Sequence, residues 1–227
     1  MTGGDRRAVV VVGRDVATTL GDVLDQIPSG LRCWVVDDGS NDDTAEQVPL
    51  DHDLLSHEEN RGYGAAQKTG YQAAIDAGIE EIVLLHGDGQ YRVEDVLSLF
   101  DALSGADVVL GSRFLAQDAG KVIPWWRRWG NRSLTGLANL RWKTGMSDLH
   151  TGARAFRADA LLGLPLREFS DDYLFDQQVL VGLAARGARF AERPVRVRYD
   201  DTTQSISPGA SVRYGLGCLR VILAARH

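Results

Sequence analysis

The chain has 227 residues, 44% of them hydrophobic and 25% charged, with a formal net charge of −6 at pH 7. Such a length can bury a full core as one large domain, and the acidic balance excludes a general nucleic-acid binder, whose phosphate contacts need a basic surface. Two cysteines, Cys33 and Cys218, provide neither a disulfide framework nor metal-ligand spacing, which fits a reducing, cytoplasmic setting.

Asp5, Arg6 and Arg7 precede only the short apolar run AVVVV (8–12), so no secretory signal is expected. No stretch reaches the roughly 18 apolar residues of a membrane-spanning helix. AVVVV reads as a buried strand, followed by CWVVD (33–37), a weaker LLSHE (54–58), EIVLLH (81–86) and DVVLG (107–111). All but LLSHE are β-branched and apolar on both faces, as central parallel strands are. Helical spacing fills 16–27, 41–48, 63–78 and 93–104. The alternation predicts an α/β fold, a mostly parallel sheet flanked by helices, with ligands at the carboxyl ends of its strands.

After residue 112 the pattern changes. From Arg113 to Ser147 there are seven basic residues (Arg113, Lys121, Arg127, Arg128, Arg132, Arg141, Lys143) against one acid, Asp118, and four of the five tryptophans, Trp125, Trp126, Trp129 and Trp142. This suits a phosphate-bearing ligand or an anionic membrane interface; the structural alternative is a helix pair packed on the sheet. A helix is predicted over 173–187, with Gly187 as its C-cap, then a strand in ARFAERPVRVRY (188–199) and an amphipathic C-terminal helix. The domain expectation is 1–207 with a helical tail at 208–227.

Three strand ends carry the chemistry. VVDDGSNDDT (35–44) presents Asp37 and Asp38, which could accept hydrogen bonds from a ribose hydroxyl or a base N–H, or could build a plain turn and cap. NRGYGAAQKTG (60–70) is a glycine-rich entry, through Gly62, to a helix carrying Lys68. It suits nucleotide phosphate at a helix N-terminus or close helix–sheet packing. LLHGDGQY (84–91) places His86, Asp88 and Gln90 on one side of an extended chain. Hard oxygen donors plus one imidazole, with room for a diphosphate and water, suit Mg²⁺ or Mn²⁺.

In this order, DDGS, N-x-G-x-G, D-G-Q and GSR (111–113), continued by NRSLTGLANL, SDLHTGARAFRADAL, YLFDQQVL and ERPVRVRYDDTTQSIS, the motifs resemble the family 2 glycosyltransferases of the GT-A (Rossmann-like) fold, notably polyprenyl-phosphate sugar transferases such as dolichyl-phosphate mannosyltransferase. The likeness spans residues 8 to 207. It implies a nucleotide-sugar donor, a divalent metal, inversion at the anomeric carbon and, as acceptor, a polyprenyl phosphate. On that template Asp37, Asp38, Gly62, Lys68 and Asp88 face the donor. Asp88, Gln90 and His86 hold the metal. Arg113 and Arg128 face donor or acceptor phosphates, Arg132, Asp148, Thr151 and Arg154 line the acceptor side, and Asp176 stands near the catalytic carboxylate. Asp171 and Asp172 are a second candidate base, or an acidic helix N-terminus.

Two positions depart from the family pattern. Val12 to Val16 replace its base-binding Pro-Ala-Tyr-Asn-Glu-like segment, and His86 replaces the first aspartate of the metal motif. A soluble hydroxyl acceptor and a non-catalytic scaffold are the competing expectations. A nucleotidyltransferase or a dehydrogenase would need a glycine-rich loop that VGRDVATTLG lacks. Peripheral membrane contact and a homodimer are compatible with the sequence.

Overall fold

The computed structural model describes residues 6–116, 125–198 and 208–224. Asp5, Asp118, Lys121 and the DDTTQSIS stretch lie outside the described residues, as do the side chains of Trp125, Trp126 and Arg127. Seven strands form one sheet: β1 (Arg7–Gly13), β2 (Arg32–Asp37), β3 (Asp53–Ser56), β4 (Glu81–His86), β5 (Val108–Ser112), β6 (Arg154–Arg157) and β7 (Phe190–Pro194). Their order is β3-β2-β1-β4-β6-β5-β7. Neighbours run parallel except β6, which is antiparallel to both β4 and β5.

The continuous apolar strands follow from coverage of both sheet faces, because alternate side chains each meet a core. Ala8, Val10, Val12, Trp34, Val36, Leu84 and Phe156 pack in one core with α2 (Tyr63–Asp76), α4 (Trp125–Trp142), α5 (Ala158–Leu162), α6 (Leu174–Ala185) and α7 (Pro208–Ala224). Val9, Val11, Cys33, Val35, Val83, Leu85 and Ala155 pack in the other with α1 (Ala17–Leu24) and α3 (Val93–Leu97). The register sets Val12 opposite Val36 and His86, and Gly13 opposite Asp37. The carboxyl ends of β1, β2 and β4 are therefore level, and the polar residues that follow them share one rim.

Several elements differ from expectation. The helix predicted over 41–48 is only a 3₁₀ turn, Ala45–Gln47. The Asp42 carboxylate accepts from the N–H groups of Thr44 and Ala17, and such local side-chain bonds compete with a helix. The 93–104 helix is α-helical only as far as Leu97 and continues as a 3₁₀ turn, Ser98–Ala102. The tryptophan-rich segment forms a single helix, α4. Trp142 is buried in the core, as the packing alternative requires, whereas Trp129 is 70% exposed. The sequence reading did not foresee β6: a buried arginine, Arg154, interrupts the apolar run that would have marked a strand. The C-terminal helix α7 packs against α4 and α6 and buries Cys218 and Ile222, with Leu216 and Leu223 exposed.

Candidate active site

A cleft of about 440 Å³ opens at the shared rim. It is lined at one end by Gly13, Arg14, Asp38, Asn60 and Gly62, in the middle by His86, Asp88 and Gln90, and at the other end by Arg113, His150, Asp176 and Tyr214. Of the residues the sequence nominates, Asp38, Gly62, His86, Asp88, Gln90, Arg113, Asp172 and Asp176 are brought together here; Asp37, Lys68, Arg128, Arg132, Asp148, Thr151, Arg154 and Asp171 are not among its lining.

The first end is built by backbone amides. Asp38 accepts from the N–H groups of Arg61 and Gly62, both at 2.9 Å, and bonds His57 Nδ1 at 2.7 Å, whose Nε2 meets Thr69 Oγ1 at 2.9 Å. The carboxylate thus ties the glycine-rich loop to the end of β2. Gly62 has φ +106°, and a Cβ there would lie 2.3 Å from the Asp171 carbonyl oxygen. That same carbonyl accepts from Gly64 and Ala65 N–H. The Asp171 carbonyl therefore caps the N-terminus of α2 and packs closely on this loop. Lys68 donates to the Phe169 carbonyl and pairs with Asp171 at 2.8 Å. Asp37 closes a turn, accepting from Ser40 N–H and Oγ. Asp172 accepts from Leu174 N–H at 2.7 Å, as the helix-terminus alternative has it.

In the middle, Asp88 accepts from Gln90 N–H at 3.0 Å and is half-buried. The His86 ring is wedged edge-on between Tyr63 and Tyr91, with Nε2 bonded to Tyr63 Oη at 2.8 Å. A Cβ on Gly152 would lie 2.3 Å from the His86 ring, so the imidazole fills the space that this glycine leaves. Burial lowers the His86 pKa, against the raising influence of Asp88 and Asp176. No group of three or more His, Cys, Asp or Glu converges among the described residues.

The far end is built by buried ion pairs. Arg113 donates through Nε (2.7 Å) and Nη2 (3.0 Å) to the two oxygens of Asp148, and Nη2 also reaches the His150 carbonyl at 3.0 Å. Asp148 is fully buried. Burial alone would raise its pKa, but Arg113 outweighs this and holds the carboxyl below its usual range. Asp148 thus stands behind Arg113 and does not itself face the cleft. Arg154 Nη1 pairs with Asp176 Oδ1 at 2.9 Å, and Gln67 Nε2 donates to the same oxygen at 2.9 Å, itself held by Tyr71 Oη. Thr151 closes the turn into β6, accepting from Ala153 N–H and giving its carbonyl to Arg154 Nε. Arg132 is exposed on α4, its guanidinium 5.4 Å from the Phe114 ring centroid; Arg128, also on α4, is half-buried.

Sequence reasoning did not single out Arg14, Tyr63, His150 or Tyr214, all of which line the cleft. Arg14 had a signal, since it directly follows the carboxyl end of β1, where ligands bind in such sheets. His150 lay within the quoted SDLHTGAR motif but was passed over. Tyr214 sits on α7 and reaches His150 Nδ1 at 3.1 Å, a pairing 64 residues apart that no local pattern reveals.

Comparison with known proteins gives the family and the fold. The sequence profile of "Glycosyl transferase family 2" matches residues 13–163. An undecaprenyl-phosphate mannosyltransferase of Micrococcus luteus is 30% identical over 187 residues, 78% of this chain and 75% of that protein. A polyprenol monophosphomannose synthase of Mycolicibacterium smegmatis is 27% identical over 192 residues, 81% of this chain and 72% of the other. In structure, glucosyl-3-phosphoglycerate synthase of Mycobacterium tuberculosis, solved with Mn²⁺, UDP and phosphoglyceric acid, superposes with a TM-score of 0.70 over 96% of this chain and 77% of that one, at 19% identity; that likeness speaks to the fold alone. With the mixed seven-stranded sheet and the rim cleft, these matches make the chain a member of glycosyltransferase family 2 with the GT-A fold.

Proposed function

We propose that this enzyme moves a sugar from a nucleoside diphosphate donor to the phosphate of a polyprenyl phosphate, with inversion at the anomeric carbon. One observation carries the reading. Among the described residues four carboxylates line the cleft, Asp38, Asp88, Asp172 and Asp176, and three of them are held by side-chain donors or a helix N-terminus. Asp38 holds loop amides and His57, Asp172 holds a helix N-terminus, and Asp176 holds Arg154 and Gln67. A carboxylate fixed by a guanidinium is a poor proton acceptor for a hydroxyl and a poor nucleophile toward a sugar. A phosphate monoester arrives already ionised and needs no base, and direct displacement without a covalent sugar–enzyme intermediate inverts the anomeric carbon. The relatives named for polyprenyl or undecaprenyl phosphate support the same acceptor class.

Among the described cleft carboxylates Asp88, which accepts only from the neighbouring Gln90 N–H, is the one placed for a cation. With the Gln90 amide it offers hard oxygen donors suited to Mg²⁺ or Mn²⁺, whereas His86 Nε2 is engaged by Tyr63. When bound, the cation supplies charge that offsets the negative charge developing on the departing diphosphate. Arg113, oriented by Asp148, adds a fixed positive charge at the other end of the cleft, where preorganised charge counts most. Asp38 shapes the donor end through the loop it holds.

The acceptor's lipid would lie at the outer faces of α4 and α7. Trp129, Leu140, Leu216 and Leu223 are exposed there beside Arg132, Lys143, Arg213 and Arg220, and neither helix contains an acidic residue. Indole, leucine and arginine together suit an anionic bilayer surface. Among the described residues no helix is long and apolar enough to cross a membrane.

Melting curves with UDP, GDP, dTDP and CDP, each with and without Mn²⁺, identify the donor base, since a ligand at about 100 times its Kd adds roughly 2.7 kcal/mol. The matching nucleotide sugars are then offered undecaprenyl phosphate. A glycosyl phosphate cleaved by mild acid is expected, and Asp88→Ala should lower the rate by about 100-fold or more. An acid-stable glycoside, formed only with hydroxyl acceptors, would replace this reading with the soluble-acceptor one.

A further inference from the structure

His150 lines the far end of the cleft, and its Nε2 is shielded from solvent without a hydrogen-bond partner. A buried, unsatisfied ring nitrogen is costly and calls for an explanation. Its other nitrogen is well attended: Tyr214 Oη lies 3.1 Å from Nδ1, and Gln177 Nε2, which donates to the Leu149 carbonyl, lies 3.5 Å from it. The Gln177 amide NH₂, which can only donate, is at the limit of hydrogen-bond reach of Nδ1, and the tautomer in which Nδ1 accepts is the one that uses this contact. A neutral imidazole accepting at Nδ1 carries its hydrogen on Nε2. Burial keeps the ring neutral, its pKa pushed down to about 4 against the raising influence of Asp148. Burial likewise keeps Tyr214 a phenol, well above its ordinary pKa.

We infer that His150 is an uncharged N–H donor to a phosphate oxygen bound in the cleft, held in place by Tyr214 from the C-terminal helix. The inference rests on the proposed sugar transfer and extends it by one substrate-contacting residue and one positioning residue. An anion is the matching acceptor because Arg113 stands beside it, its Nη2 bonded to the His150 carbonyl. The oxygen belongs either to the donor's diphosphate or to the acceptor's phosphate. His150 makes no proton transfer in either case: the sugar–oxygen bond breaks toward the diphosphate, the acceptor phosphate oxygen forms the new bond, and His150 only donates a hydrogen bond.

Two substitutions separate this role from a structural one. His150→Gln keeps an N–H near the Nε2 position and gives up the acceptor for Tyr214. His150→Asn keeps an acceptor for Tyr214 and gives up the donor into the cleft. Binding of the selected nucleoside diphosphate with Mn²⁺, and separately of farnesyl phosphate, is measured by calorimetry on the full-length wild type and both variants. His150→Asn should weaken one of the two ligands by about 10- to 100-fold, as for loss of a hydrogen bond to a charged group. His150→Gln should stay within about threefold of wild type. The ligand that weakens names which phosphate His150 holds. Equal binding by all three proteins, or loss in His150→Gln with retention in His150→Asn, overturns the inference. Wild type that binds neither ligand overturns the proposed transfer itself.

Discussion

The two ends of the cleft are built by different means. At and beside the end that holds Asp38, carboxylates are satisfied by groups close in sequence: Asp37 by Ser40, and Asp38 by His57, Arg61 and Gly62, within 24 residues. At the far end side chains satisfy one another across long separations, with 35 residues between Arg113 and Asp148, 64 between His150 and Tyr214 and 109 between Gln67 and Asp176. A loop held by amides is shaped where its own chain turns. A set of buried ion pairs is shaped only once β5, β6, α6 and α7 have docked. Stability and site geometry are therefore more tightly coupled at the far end, and mutations there should cost fold as well as activity.

The largest expected effect is at Arg154 and Asp176. Asp176→Leu strands a guanidinium whose side chain is 1% exposed, and breaking one half of a buried pair costs about 3–5 kcal/mol. For a chain of this size that lowers the melting temperature on the order of 10 °C. The double variant Arg154→Met with Asp176→Leu should recover much of the loss, since replacing both charges by apolar residues is often neutral. If thermal melts show Asp176→Leu as stable as wild type, the far end does not depend on its ion pairs and the contrast between the two ends fails.

The same contrast explains what could be read from sequence. Short-range features were legible: the apolar strands β1, β2, β4 and β5, the polar groups expected at their carboxyl ends, and Asp38, Asp88 and Gln90 at or just beyond strand ends. The order of motifs extended this to the family and to Arg113. What stayed hidden depends on tertiary contact. β6 escaped because Arg154 sits in a strand whose charge is matched only by α6. Lys68 looked like a phosphate ligand because a lysine in the first turns of a helix after a glycine-rich loop gives no hint that the 169–171 segment will cover it. The contact of His86 Nε2 with Tyr63, 23 residues earlier, was equally invisible in the local pattern.

A smaller effect comes from pH. Burial lowers the His150 pKa to about 4, with Asp148 raising it and Arg113 and Arg154 lowering it, whereas in the unfolded chain it titrates near 6.5. Between those values the unfolded state binds the extra proton, so stability is full above about pH 6.5 and falls as pH drops toward 4. The loss is roughly 2–3 kcal/mol. His86, also lowered by burial, contributes in the same direction, so the informative quantity is the difference between wild type and His150→Gln in denaturant melts at pH 7.5, 6.5, 5.5 and 4.5. The variant's curve should be flatter by about that amount. Asp148, held low by Arg113 against burial, acts only below the ordinary carboxylate range and leaves this window clear. Parallel curves for the two proteins would mean that His150 is solvated.

The smallest effect sharpens the donor end. Lys68 caps the 169–171 segment and pairs with Asp171, whose side chain is 66% exposed; such a pair contributes at most about 1 kcal/mol. Lys68→Met keeps the aliphatic stem against Phe175, over whose ring the ammonium sits at 5.5 Å, and removes the charge together with the hydrogen bonds to the Phe169 carbonyl and Asp171. Nucleotide affinity should therefore change less than about twofold, with a melting temperature lowered by no more than about 4 °C. The alternative inherited from the glycine-rich motif, a lysine on the donor diphosphate, would instead lose a charge-assisted contact worth about 1.5–3 kcal/mol, more than tenfold in Kd. Those two outcomes do not overlap. Calorimetric titration of Lys68→Met with the donor nucleotide thus decides whether the motif marks a phosphate site in this chain or the packing of α2 against the segment that leads into α6.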